Sequence, residues 1–96
     1  MYSGGLSIAD LRNIQSAAWE SRAQWYNIGL ELSIPPGTLN VIEGNNRGDI
    51  NSCFRAMLMT WLSMDQPKPT LAALAKALQS PTVGFGHLAE RIQALK

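Results

Sequence analysis

Between Asp49 and Ser63 the chain carries Ile50, Cys53, Phe54, Met57, Leu58, Trp61 and Leu62. These apolar residues recur three and four apart over more than three helical turns, which places them on one broad face of an α-helix. Tertiary packing, more than propensity, stabilises such a helix, so other elements must cover that face. The rest of the chain supplies covers with the same period. Ile8, Leu11 and Ile14 mark a first helix, opened by Ser7 with Asp10 three residues on, as in a capping box. Ser21 and Gln24 offer a second start of that kind. Trp25, Ile28, Gly29 and Leu32 share the face that follows, with Trp19 in the join.

Punctuation separates the remaining segments. Ser33-Ile34-Pro35-Pro36-Gly37 must end the second helix, because proline cannot extend it and restrains the residue before it. Leu39 and Ile42 are the apolar contacts of a short third helix. Gly44-Asn45-Asn46-Arg47-Gly48 reads as a loop of residues that tolerate positive φ, and Asp49 as the cap of the long fourth helix. Asp65-Gln66-Pro67-Lys68-Pro69 is a stiff connector. Thr70 is the expected N-cap of a fifth helix built on Leu71, Leu74, Ala75 and Leu78. Ser80-Pro81-Thr82 ends that helix, and Val83, Leu88, Ile92 and Leu95 give the buried side of a sixth. No stretch alternates as a strand does and no repeat is visible, so the expected class is all-α with six helices joined by short loops. The expected core is Leu11, Trp25, Ile28, Leu32, Leu39, Ile42, Phe54, Leu58, Trp61, Leu62, Leu74, Leu78, Leu88 and Ile92. Trp25 and Trp61 are its largest members.

Ninety-six residues suffice for one hydrophobic core and no more. The reading is a single domain over residues 6–96, with residues 1–5 a flexible lead-in or an expression remnant. The 46% hydrophobic content belongs to a folded protein, and eight basic against seven acidic side chains give no general attraction to nucleic acid or anionic membranes. No apolar run approaches the roughly 20 residues that span a bilayer, and the first residues do not read as a secretory signal. Cys53 is the only cysteine, which rules out an internal disulfide and fits a reducing, cytoplasmic setting.

Chemistry finds little footing. Catalysis by Cys53 would require His87, the single histidine, within hydrogen-bond reach, yet Cys53 falls on the apolar stripe and His87 reads as a partly exposed helical residue. Zinc needs about four ligands where two soft or imidazole candidates exist. Gly84-Phe85-Gly86 lacks the strand and Lys-Ser/Thr of a phosphate loop and reads as the turn opening the last helix. Asn45 to Asp49 lacks the alternating carboxylates of a calcium loop. No enzyme, metal or cofactor is expected. The alternative function is a helix-turn-helix-like DNA-binding domain, but its charge is poor: Arg55 is the only basic residue between Asp49 and Asp65, and Lys76 the only one on the fifth helix.

The order of landmarks resembles the death-domain family. Trp25-Tyr26-Asn27-Ile28-Gly29-Leu30-Glu31-Leu32 is similar to that family's second helix, and Leu39-x-x-Ile42-Glu43 to its third. Cys53-x-x-x-Met57-Leu58-x-x-Trp61-Leu62 resembles the fourth, Pro69-Thr70-Leu71-x-x-Leu74-x-x-Ala77-Leu78 the fifth, and Leu88-Ala89-Glu90-x-Ile92 the sixth. The match runs from about Leu6 to Leu95. Leu71 stands where tryptophan is frequent and Ser33 where glycine is usual, and the stretch before Trp25 matches weakly. The resemblance implies a six-helix antiparallel bundle with a Greek-key-like death-fold topology. It also implies a non-enzymatic adaptor that binds other death domains, in itself or in different chains, in apoptotic or innate-immune signalling. Homo-oligomers are among the implied assemblies.

It further implies surfaces. One family contact sets the second and third helices against the first and fourth, here Glu31, Asn40 and Glu43 opposite Arg12 and Arg55. A second sets the end of the fourth helix against the connector ahead of the sixth, here Asp65 and Lys68 with Gln79. The third helix and its corner add Arg47 and Asp49, and Leu30 and Tyr26 are candidate apolar anchors.

Overall fold

A computed structural model of the chain describes residues 6–47, 49–64 and 69–94. A 3-10 turn at Ile8–Asp10 runs straight into α1 (Leu11–Ala17). A 3-10 stretch at Trp19–Gln24 then leads into α2 (Trp25–Glu31), followed by α3 (Pro36–Asn45), α4 (Ile50–Leu62), α5 (Leu71–Gln79) and α6 (Gly86–Gln93). The described residues contain no strand. α4 is the central element, packed against α1, α2 and α3, while α5 and α6 form a tightly joined hairpin that closes the bundle.

Local chemistry explains most boundaries. The Asp10 carboxylate accepts the Ser7 backbone N–H at 2.9 Å and fixes the entry to α1. Pro36 occupies the first turn of α3, where a missing N–H costs nothing and the ring presets φ. The Thr70 hydroxyl accepts the Ala73 N–H at 3.0 Å and caps α5. α2 ends in a Schellman motif: Ile34 N–H reaches Gly29 O (3.0 Å) and Ser33 N–H reaches Leu30 O (3.1 Å). That geometry holds Ser33 at φ 72°, the left-handed region that glycine occupies without a Cβ penalty. It also swings Ile34 from the break into the core.

Every expected core residue is buried, joined by Leu6, Ile14, Ala17, Ala18, Ile34, Cys53, Met57, Ala75, Ala77, Val83 and Ala89. Trp61 lies among them, and Trp19, half-buried, sets its ring edge-on to Phe54 at 6.1 Å between centroids. Gly29 is where α2 meets its neighbours closely, since a Cβ there would stand 2.6 Å from a Leu39 methyl.

Five expectations are corrected. Ile8 belongs to the 3-10 turn, outside the α-helical register of Leu11 and Ile14, and is exposed; Leu6 takes the core place instead. Ile50, in the first turn of α4, projects past the stripe and is exposed. Ser21 does not start α2: it is buried inside the 3-10 stretch and donates its hydroxyl to Ala18 O at 2.7 Å. Gly44 and Asn45, expected in a loop, are the last residues of α3, and among the described residues of the loop beyond them Arg47 takes positive φ (54°). Asp49 stands at the N-cap of α4, but its carboxylate accepts the Ser52 hydroxyl at 2.6 Å and caps no backbone N–H. Residues 1–5, the connector 65–68 and Leu95 lie outside the described residues.

Candidate interaction surfaces

α1 packs on α4, and this brings Arg12 and Arg55 to one surface depression of about 330 Å³, lined also by Ile8, Ala9, Leu11 and Gln15. Both guanidiniums carry a permanent charge, and among the described residues neither is paired with a carboxylate. Met59, one turn beyond Arg55 on the outer side of α4, is also exposed. The α1–α4 face is therefore basic with apolar points.

The α2–α3 face has the opposite character. The Tyr26 hydroxyl donates to Asn40 Oδ1 at 2.9 Å, and the Tyr26 ring stands edge-on to Trp25 at 5.5 Å. Tyr26 is thus half-buried and committed to joining the two helices, while Leu30, one turn along α2, is 41% exposed. Glu43 is exposed on α3. Glu31 is exposed at the end of α2, where it accepts the Ser80 hydroxyl at 3.2 Å and links α2 to the end of α5. Val41, at 59%, is the most exposed large hydrophobic among the described residues.

The other candidates are scattered. Arg47 and Asp49 are exposed at the corner after α3, and Gln79 is exposed at the last position of α5. Asp65 and Lys68 lie outside the described residues, so the contact expected of them has no described geometry.

Sequence reasoning missed one cluster. Glu20, on the 3-10 stretch, lies 3.2 Å from His87 Nε2 and 4.0 Å from Arg91 Nη1 on α6. The spacing of His87 and Arg91 shows that they share a side of α6. Nothing local to Glu20 shows that it meets them, because the link spans 67 residues.

A nucleophilic site is not assembled. Cys53 is fully buried in α4, whereas the His87 side chain is 63% exposed and faces Glu20. No group of three or more His, Cys, Asp or Glu among the described residues is placed to hold a metal ion. No helix of the described residues is long and apolar enough to cross a membrane. A small helical bundle with separate basic and acidic faces is the form of a protein–protein interaction module. The chain belongs to the death-domain family: the Death domain family model matches residues 8–95. No curated protein and no solved structure matches it.

Proposed function

We propose that residues 6–96 form a death domain that binds other death domains and serves as a cytoplasmic adaptor or oligomerisation scaffold in apoptotic or innate-immune signalling. The observation that carries this reading is the separation of charge: Arg12 and Arg55 on the α1–α4 face, without a carboxylate partner among the described residues, against exposed Glu43 and Glu31 on the α2–α3 face. Because the two halves of such a contact are different patches, each domain can bind one neighbour on either side, and the contact propagates head to tail. Exposed ion pairs contribute only about 0–1 kcal/mol each, so these charges select and orient a partner domain more than they hold it.

Size-exclusion chromatography with light scattering, over a concentration series with and without a candidate partner death domain, tests the proposal. The expected result is a complex that Arg55→Glu or Glu43→Arg weakens and that the two reversals, placed on opposite partners, restore. Reversals with no effect on any complex would overturn the assignment of these faces. Salt-sensitive binding to duplex DNA without domain assembly would overturn the function.

A further inference from the structure

Ser80 is the only serine or threonine in the chain that precedes a proline. It stands at the end of α5, and Pro81 holds its backbone extended, at φ −56° and ψ 137°. Ser80 is half-buried, between an exposed Gln79 and the exposed Pro81 and Thr82. Its hydroxyl donates to Glu31 Oε2 at 3.2 Å, across the junction where α2 packs on α5, and accepts the Thr82 N–H at 3.3 Å. The turn is closed by the Val83 and Gly84 N–H groups, which donate to Ser80 O at 3.0 and 2.8 Å. Glu31 is the last residue of α2. The C-terminal ends of two helices, both negative in dipole, therefore meet at this one hydroxyl.

We infer that Ser80 is a phosphorylation site for a proline-directed serine kinase, and that the phosphate unfastens α5 from α2. The dipeptide presents what such an enzyme selects: extended backbone at the acceptor and a following residue with no N–H to satisfy. The turn is held by a few local bonds at the surface, so it opens to the kinase without the bundle. In the transfer, Ser80 Oγ attacks the γ-phosphorus of a magnesium-bound nucleoside triphosphate. The bond from that phosphorus to the β-phosphate oxygen breaks, the nucleoside diphosphate leaves, and the hydroxyl proton passes to the kinase's base. The product sets about −1.5 to −2 charge where a hydroxyl had donated a hydrogen bond. Glu31 then meets repulsion in place of that bond, and both helix ends oppose the same charge. Lys76, one turn back on α5, offers a single positive charge against the phosphate and Glu31 together. The site stands on the geometry of this turn and does not depend on the pairing of faces proposed above.

The test incubates the 96-residue chain, and a peptide of residues 76–85, with proline-directed kinases and magnesium ATP, and locates phosphate by mass spectrometry. One phosphate is expected, on Ser80, absent from Ser80→Ala and much slower to form in Pro81→Ala. Thermal melting then compares the phosphorylated and unmodified chains. The phosphorylated wild type is expected to melt about 4–8 °C lower. The drop is expected to be smaller in Glu31→Gln, whose amide keeps the shape of the carboxylate without its charge. Failure of the kinases on the peptide, or on the folded chain alone, would overturn Ser80 as an acceptor, and so would phosphate found on Thr82 in its place. A phosphorylated chain that melts with the unmodified one would sink the unfastening of α5. Equal drops in wild type and Glu31→Gln would show that Glu31 is not the group that feels the phosphate.

Discussion

The first nineteen described residues and the α5–α6 hairpin both close the bundle, the first by packing on α4 and the second on α1 and α2, and they do so by different means. The hairpin is regular. Thr70 caps α5, the extended backbone at Ser80 (ψ 137°) ends it, and Gly84 at φ 76° turns the chain into α6. Residues 6–24 are pieced together from a 3-10 turn, the seven-residue α1 and a second 3-10 stretch. They bury small residues, Ala17, Ala18 and Ser21, and rest half of Trp19 against Phe54. The difference teaches where conformation is decided. In the hairpin it is written locally, in caps and turn residues. In the N-terminal region it is imposed by what the segment rests upon, since a backbone that must follow a neighbouring helix gives up the α-helical period to do so.

Substitutions put this contrast to the test. The largest effect is expected in the core itself: Trp61→Ala should cost about 3–5 kcal/mol, a large part of the roughly 5–15 kcal/mol margin of a small domain. Trp19→Ala, removing a half-buried ring, should cost about 1–2 kcal/mol. Urea midpoints would measure both, and equal losses would mean that the N-terminal region packs as fully as the core. Next come the hydroxyls. Thr70→Ala removes a cap and should cost about 1 kcal/mol. Ser21→Ala should cost within about 0.5 kcal/mol, because Ala18 O keeps the Ser21 N–H at 2.9 Å. A Ser21→Ala loss matching that of Thr70→Ala would show that the N-terminal stretch is locally capped after all. The smallest effect lies between the regions and has the opposite sign. Ser33→Gly removes a Cβ from the left-handed turn after α2 and should raise stability by about 0.5–1 kcal/mol; a lower melting temperature would count against strain at that residue.

Much of the fold was legible before any coordinates. The α4 stripe, the α5 cap, the proline breaks and the turn before α6 follow from residue types at fixed offsets. Ile8, Ile50 and Ser21 were misplaced for a common reason: periodicity assumes that a helix buries its first apolar residue and starts at its first hydroxyl. The helix ends here depart from both assumptions. The surfaces were legible as lists of charges and not as places. Arg12 and Arg55 are 43 positions apart in the numbering, and only the packing of α1 on α4 sets them around one depression.

The Tyr26–Asn40 bond has a consequence for binding. α3 lies between two breaks, and its inner contacts are essentially Leu39 and Ile42; a phenol clasped to its outer side holds it against rocking. That bond restrains the helix before anything binds, so any partner that grips this face would spend less on stiffening it.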